Sequence, residues 1–397
     1  MALKTNCPVC ESHQTSVFLV RENVPTRQNA VFKEQKAALE VPRGDIKLAV
    51  CGRCGFVFNA AFDDSLFIYG EHYDNAQFFS QAFDDYLSLL VDYLVDQRSV
   101  KNCRIVEVGC GDGYFLKRLV ETGSNTGIGY DPSYVGPLEI MDGRVRFEQS
   151  YYGSEQADVS ADVVICRHVI EHIAEPVALL KSIRQALSKS PSAYVFFETP
   201  TVDWILRNRT FWDVFYEHCS IFTAQSLITT FQQSGFHADE VKTAFGGQYL
   251  WMEASIPIVG AHSQIAYSPG EIPALAARFA TSEDRFIKKW IERVESLHRT
   301  GPVALWGAGA KGVTFANLVD PENRHISCVV DVNPRKQGNF LPGTGHPIVD
   351  QTTLSTYGVK TVIVMNPNYR AEIFKSIKHL GLTVQLLDLN DETENLQ

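Results

Sequence analysis

From residue 80 to 97, Ala82, Phe83, Tyr86, Leu87, Leu90, Val91 and Leu94 recur at three- and four-residue steps, which predicts one amphipathic helix. Short apolar runs follow at 104–108, 126–130, 162–166 and 193–197 and read as buried strands. Residues 176–187, opened by Pro176, have helical spacing between the last two. Strands alternating with helices predict a mostly parallel sheet with right-handed crossovers. The alternation stops at 257–273, where Pro, Gly, Ser and His cluster as in a linker, and a helix from 272 to about 299 follows with Pro273 in its first turn. Then the pattern restarts, with strands at 303–306, 326–331 and 361–365. The reading is an α/β chain in three parts: a small module over 1–75, an α/β domain over 76–256 and a second α/β domain over 257–397.

The first strand of the middle part ends in Glu107-Val108-Gly109-Cys110-Gly111-Asp112-Gly113, and helical spacing resumes at Tyr114. Glycines there let the backbone turn sharply and approach a ligand without a Cβ in the way. The next strand carries Asp131 at its tip, placed to grip two ribose hydroxyls. This pattern resembles class I S-adenosylmethionine (SAM)-dependent methyltransferases more than dinucleotide enzymes. It implies a Rossmann-like sheet with SAM held by Glu107, Gly109, Gly111 and Asp131. An acidic first strand suits a cofactor that is cationic at sulfur and has no pyrophosphate. The third part repeats the theme with Gly307-Ala308-Gly309-Ala310-Lys311-Gly312 and, one strand later, Asp331. A helix N-terminus with Lys311 suits a phosphate; a dinucleotide site and a fold without ligand stay open.

Composition narrows the class. A net charge of −10 argues against a nucleic-acid surface, and the absence of any long apolar run argues against a membrane span. The N-terminal residues lack the apolar core of a secretion signal, so a cytoplasmic protein is expected, with cysteines as thiols or metal ligands. Cys7-Pro-Val-Cys10 and Cys51-Gly-Arg-Cys54-Gly are two C-x-x-C knuckles, each setting two thiolates on one side of a tight turn. Together they predict a structural zinc site, since four thiolates leave no open position for catalysis. A redox pair or unligated thiols are the alternatives.

Two further constellations carry chemistry. Arg167-His168-Val-Ile-Glu171-His172 follows the strand expected beside the first, at the ligand-facing end of the sheet. His172 reads as a proton relay, a substrate ligand or a helix-start residue, with His168 a further candidate. Phe215-Tyr216-Glu217-His218 follows the aromatic group Trp204, Phe211 and Trp212, which suggests a semi-enclosed apolar pocket where a neutral His218 acts as base near pH 7. A surface pair with structural hydrogen bonds is equally compatible with these residues.

Taken in order, the two cysteine knuckles, the E-V-G-C-G-D-G turn, Glu217-His218, the G-A-G-A-K-G turn and Asn366-Pro-Asn-Tyr resemble the nucleotide-sugar C-methyltransferases over nearly the whole chain. That resemblance implies a nucleotide-linked 4-keto-6-deoxysugar substrate. It also implies His218 as the base removing the proton alpha to the ketone, Glu217 beside it, and catalytic places for His172 and Tyr73. The last domain would close over the nucleotide and diphosphate. Two departures stand out. Phe215 and Tyr216 occupy the family's tyrosine and aspartate positions, and Thr199 stands where Glu-Asp-Pro is common. An O- or N-methyltransferase on another small metabolite, or a non-catalytic nucleotide-sugar-binding paralogue, remain the alternatives.

Overall fold

The computed structural model describes residues 3–66, 73–156, 158–257 and 265–389. Three sheets organise them. The largest has eight strands, in the order His237–Ala244, Tyr249–Ser255, Tyr194–Pro200, Val163–Arg167, Arg104–Val108, Thr126–Tyr130, Val145–Glu148 and Glu139–Ile140. The five strands from Tyr194–Pro200 to Val145–Glu148 run parallel, as the alternation predicts. At one edge, Tyr249–Ser255 pairs antiparallel with both Tyr194–Pro200 and His237–Ala244. The hairpin and the short strands at the other edge lie outside the sequence reading. His237–Ala244 is too polar to give an apolar run, and Val145–Glu148 merely alternates buried and exposed.

Strand order reverses at Arg104–Val108, which lies between Val163–Arg167 and Thr126–Tyr130. A doubly wound sheet opens a crevice at the carboxyl ends of such a pair. Helix Gln81–Asp92, capped by Ser80, packs against the following helix Tyr114–Gly123, and one extra turn of wider winding, Tyr93–Gln97, ends it.

The C-terminal sheet is wholly parallel, with order Ile348–Val349, Ile326–Val330, Val303–Trp306, Thr361–Val364 and Gln385–Asp388, and reverses at Val303–Trp306. The N-terminal sheet is antiparallel. Its strands Thr15–Pro25, Arg43–Cys51 and Val57–Asn59 are completed by Ser220–Ile221, which starts two residues after His218. The first 75 residues therefore do not close their own sheet. Completing it brings His218 to the N-terminal module.

The 29-residue helix Ile272–Thr300 binds the ends of the chain together. Its Phe279, Phe286 and Trp290 share one core with Leu19, Ile46 and Leu48 of the N-terminal sheet and with Val303, Leu305 and Val313 of the C-terminal domain. One buried ion pair crosses this junction. Arg21 Nε donates to Glu283 Oε1 at 3.0 Å, and its Nη atoms reach the Val214 and Phe211 carbonyls at 2.6 and 2.7 Å. Stripping one partner leaves an uncompensated buried charge. Glu283→Leu is therefore expected to lower unfolding stability by about 3 kcal/mol or more, measured by chemical denaturation; a loss below about 1 kcal/mol contradicts a structural role for the pair.

Candidate functional site

A cavity of about 950 Å³ lies beyond the carboxyl ends of Arg104–Val108 and Thr126–Tyr130 and is walled by Glu107, Gly109, Gly111 and Asp131. Gly109 has φ +69°, and a Cβ there would stand 2.2 Å from Val169 Cγ2. Gly111 has φ +55°, yet a Cβ there would meet no protein atom within 4 Å, because it faces the cavity. Its N–H donates to Asp131 Oδ2 at 2.9 Å, while Asp131 Oδ1 accepts from the Ser133 N–H and hydroxyl at 2.8 and 2.6 Å. The acid is thus held across the turn with acceptor capacity left over. Glu107 is buried; burial pushes its carboxyl up to about 8, against the pull of Arg167. Its Oε2 has no hydrogen-bond partner. An orphaned acceptor, a left-handed glycine turn and an oriented acid fit a ligand with an ammonium group and a ribose, as SAM has.

A second, narrower cavity of about 210 Å³ lies between the middle and C-terminal domains. Phe215, His218, Glu171 and Trp204 line it on one side, and Trp306, Gly309, Asp331 and Lys336 on the other. The C-terminal turn copies the first: Asp331 Oδ2 accepts the Ala308 N–H at 2.8 Å and Oδ1 the Asn333 N–H at 2.8 Å. Lys311 is not left free for a phosphate. It pairs with Asp213 at 2.7 Å and reaches Gln248 Oε1 at 3.2 Å. The Gln248 and Asn366 side chains exchange hydrogen bonds at 2.9 and 3.0 Å across the same cleft.

The cavities share residues 75–77 and His168. His168 adopts left-handed backbone at φ 55°, and its ring spans two carboxylates, Glu171 at 3.4 Å and Glu198 at 3.2 Å. Burial works to lower its pKa, but the carboxylates prevail and raise it to about 9. Glu198 also pairs with Arg167 at 2.7 Å and accepts from the Tyr86 hydroxyl. Burial opposes its ionisation, yet these partners hold it at about 2.

His218 packs against Phe215 with ring centroids 4.1 Å apart and meets His172 edge-on at 4.8 Å. Burial first, then the charges of His172, His168 and Lys311, hold His218 well below the usual imidazole range. His172 is lowered too, by burial against the pull of Glu171.

Two residues expected at the site stand back from the cavities. Glu217 is fully buried and lines neither cavity; its carboxylate accepts the Asn29 N–H at 3.0 Å and Asn29 Nδ2 at 3.1 Å. Burial raises it to about 7, against those bonds. His172 also lines neither cavity, and its ring bonds to the Glu217 backbone behind His218. The carboxylate beside both imidazoles is Glu171, whose acceptor atoms lie within 4.8 Å of theirs. Glu171 Oε2 is held by the Thr199 hydroxyl at 3.0 Å, so the threonine departing from Glu-Asp-Pro has a partner here. The sequence placed Glu171 with His168 and His172 at the ligand-facing end of the sheet but gave it no role of its own. Asn29 and Gln248 carried no sequence signal, and Asn366 entered only as part of the Asn-Pro-Asn-Tyr motif.

Tyr73 lies on the cofactor cavity. Burial and the charges of Glu217 and Glu171 keep its phenol protonated, and its hydroxyl meets the Asn29 side chain. Tyr216 points away, its hydroxyl accepting the Asp63 N–H at 2.9 Å. The four knuckle cysteines meet as expected: Cys7 and Cys54 Sγ lie 3.6 Å apart, Cys10 and Cys51 Sγ 3.5 Å, all buried. Tetrahedral zinc–thiolate bonds of about 2.3 Å place sulfurs about 3.8 Å apart, so the cluster fits the ion.

Comparison with known proteins agrees with this geometry. Residues 77–241 match a methyltransferase domain, and residues 272–383 match a C-methyltransferase C-terminal domain. The chain is a SAM-dependent methyltransferase. It is 24% identical to the C-methyltransferase NovU of Streptomyces niveus over 94% of this chain and 92% of that one. It is 29% identical to a ubiquinone biosynthesis O-methyltransferase of Yersinia enterocolitica, over 30% of this chain and 52% of that enzyme. Among solved structures, SAH-bound magnesium protoporphyrin IX methyltransferase from Synechocystis PCC 6803 aligns with a TM-score of 0.34 at 17% identity, covering 44% of this chain and 84% of that one. Among the described residues, no helix is long and apolar enough to cross a membrane.

The raised His168 pKa has a stability consequence. A group charged more readily in the folded state contributes stability fully below its unfolded pKa, about 6.5, and that contribution fades as pH rises through about 9. The difference in stability between wild type and His168→Gln is therefore expected to shrink from pH 6.5 to 9.5, followed by urea denaturation; a constant difference contradicts a protonated His168.

Proposed function

We propose that the chain transfers a methyl group from SAM to the carbon alpha to the ketone of a nucleotide-linked keto-deoxysugar, with Cys7, Cys10, Cys51 and Cys54 holding a structural zinc ion. The observation that carries this reading is the junction of the two cavities. A neutral imidazole faces the narrower one, and an acid-gripped glycine turn stands on each side.

Each turn suits one nucleoside. Glu107, Gly109, Gly111 and Asp131 take SAM, which supplies an electrophilic methyl group. The copy at Ala308 and Asp331 takes the nucleotide of the sugar, with Lys336 lining the same cavity. With Lys311 already paired to Asp213, it acts as a fixed positive charge rather than a phosphate ligand.

His218 is the base. Its depressed pKa leaves a lone pair available at pH 7, and Glu171 stabilises the imidazolium formed when it takes the proton. The electron pair of the broken C–H bond moves onto the ketone oxygen. His168 and Lys311, the cations that depress His218, favour negative charge developing there. The enolate carbon then forms the new bond to the methyl group, and the sulfur keeps the electrons of the bond that breaks. His172 acts as a positioning residue that fixes the His218 ring from behind, and Glu217 acts through Asn29. Phe215 puts a ring without a hydroxyl against His218, and the protonated Tyr73 stands on the cofactor cavity.

The test is deuterium wash-in from solvent at the alpha carbon of candidate nucleotide-linked keto-sugars, with S-adenosylhomocysteine (SAH) present so that no methyl transfers. Wild type is expected to exchange, and His218→Ala to lose exchange about 10²- to 10⁴-fold. Undiminished exchange in that variant would move the base elsewhere. Absence of exchange in wild type, with methyl found on a hydroxyl, would replace the proposal by an O-methyltransferase. For the metal, elemental analysis of protein prepared without chelator is expected to find one zinc per chain. Cys51→Ser should lose it, with several kcal/mol of stability; metal-free wild type of full stability contradicts the site.

A further inference from the structure

Arg335 belongs to the C-terminal domain, yet it lines the cofactor cavity of the middle domain. Its Nε pairs with Asp74 Oδ2 at 2.9 Å, and its Nη2 approaches Asp112 Oδ2 at 3.5 Å. Asp112 lies inside the glycine turn. Asp74 starts the segment 74–78, which walls the cofactor cavity and whose residues 75–77 also wall the substrate cavity. The Asn29 carbonyl of the N-terminal module accepts the Asp74 N–H at 2.9 Å, and further bonds to this segment and to the helix after it come from the same domain as Arg335. Asn333 Nδ2 donates to Asp74 Oδ1 at 3.0 Å, and the Tyr369 hydroxyl meets Gln77 Oε1 at 3.0 Å. Glu372 accepts from the Ser80 hydroxyl at 2.6 Å and from the N–H groups of Gln81 and Ala82 at 3.1 and 3.2 Å. Those N–H groups are the free donors at the start of helix Gln81–Asp92, so a carboxylate from another domain caps it.

We propose that Arg335 is a cofactor-positioning residue: from the C-terminal domain it joins segment 74–78 to the glycine turn, so that SAM is held by both domains. The argument is electrostatic. Glu107, Asp112, Asp131 and Asp74 all border one cavity, and Arg335 is the cation that reaches two of them. Without it, Asp74 and Asp112 lose their shared counter-ion, and the two walls of the cavity are held together less firmly. The planar guanidinium suits a bridge between two carboxylates, which a lysine ammonium makes less well. The inference rests on SAM use alone and is independent of the sugar.

SAH binding by titration calorimetry on the full chain tests it. SAH lacks the sulfonium charge, so the altered charge of a variant does not itself draw the ligand. Arg335→Ala is expected to weaken SAH at least threefold, with Arg335→Lys falling between it and wild type. Because Arg335 is half exposed, the difference should shrink as salt rises toward 1 M, where the screening length is about 3 Å. Damage to the fold would not fade with salt. Arg324→Ala, which removes a surface pair with Glu322 in the same domain, serves as the control and should bind as wild type does. A loss below threefold in Arg335→Ala, a loss that persists unchanged at 1 M salt, or an equal loss in Arg324→Ala would each overturn the proposal.

Discussion

The arrangement of the site depends on one buried carboxylate. Glu217 has no exposure to solvent and spends both oxygens on Asn29, one on its backbone and one on its side chain. The Asn29 carbonyl in turn accepts the N–H of Asp74, and its side chain meets the Tyr73 hydroxyl. Three stretches distant in sequence are thereby fixed at one point: the end of the N-terminal sheet, the wall between the cavities and the turn that bears His218. A buried carboxylate without such donors would be costly. Burying Glu217 draws Asn29 to it, and the turn that bears His218 is held at the same point.

Around that point, opposite charges are balanced rather than scattered. Arg167 and His168 face Glu198 and Glu171 in a buried set of two cations and two anions, with Tyr86 adding a donor. Such a set is a weak source of stability, because desolvation offsets the attraction. Its effect is directional. It fixes a cation at the meeting point of the two cavities and leaves His218, a short distance away, uncharged.

The domains are joined by packing, not by a loose tether. The long helix Ile272–Thr300 sends its aromatic face into the core of both the first and the last domain. Completion of the N-terminal sheet by Ser220–Ile221 has the same effect in the other direction. The narrower cavity therefore lies between parts that share cores and hydrogen bonds, which suits a reaction whose main demand is the alignment of two bound molecules.

The sequence by itself determined the parallel strands around both switch points, because buried parallel strands are continuous apolar runs and their glycine turns need φ values that few other residues accept. It determined the cysteine cluster as well, since each knuckle is a local turn and two of them complete a tetrahedron. His218 was legible through its aromatic setting. What the tertiary structure decided is the partnership of each charged group. Glu217 and His218 are neighbours in sequence, but adjacent residues point in different directions, and the buried donors of Asn29 took the carboxylate away. Glu171 came to His218 instead because the strand end at 167 and the turn after 215 converge only in the folded chain. The same holds for Lys311, claimed by Asp213, and for Arg335, which reaches a cavity in another domain. Local patterns specify backbone, whereas the destination of a long polar side chain depends on which desolvated partner lies within its reach.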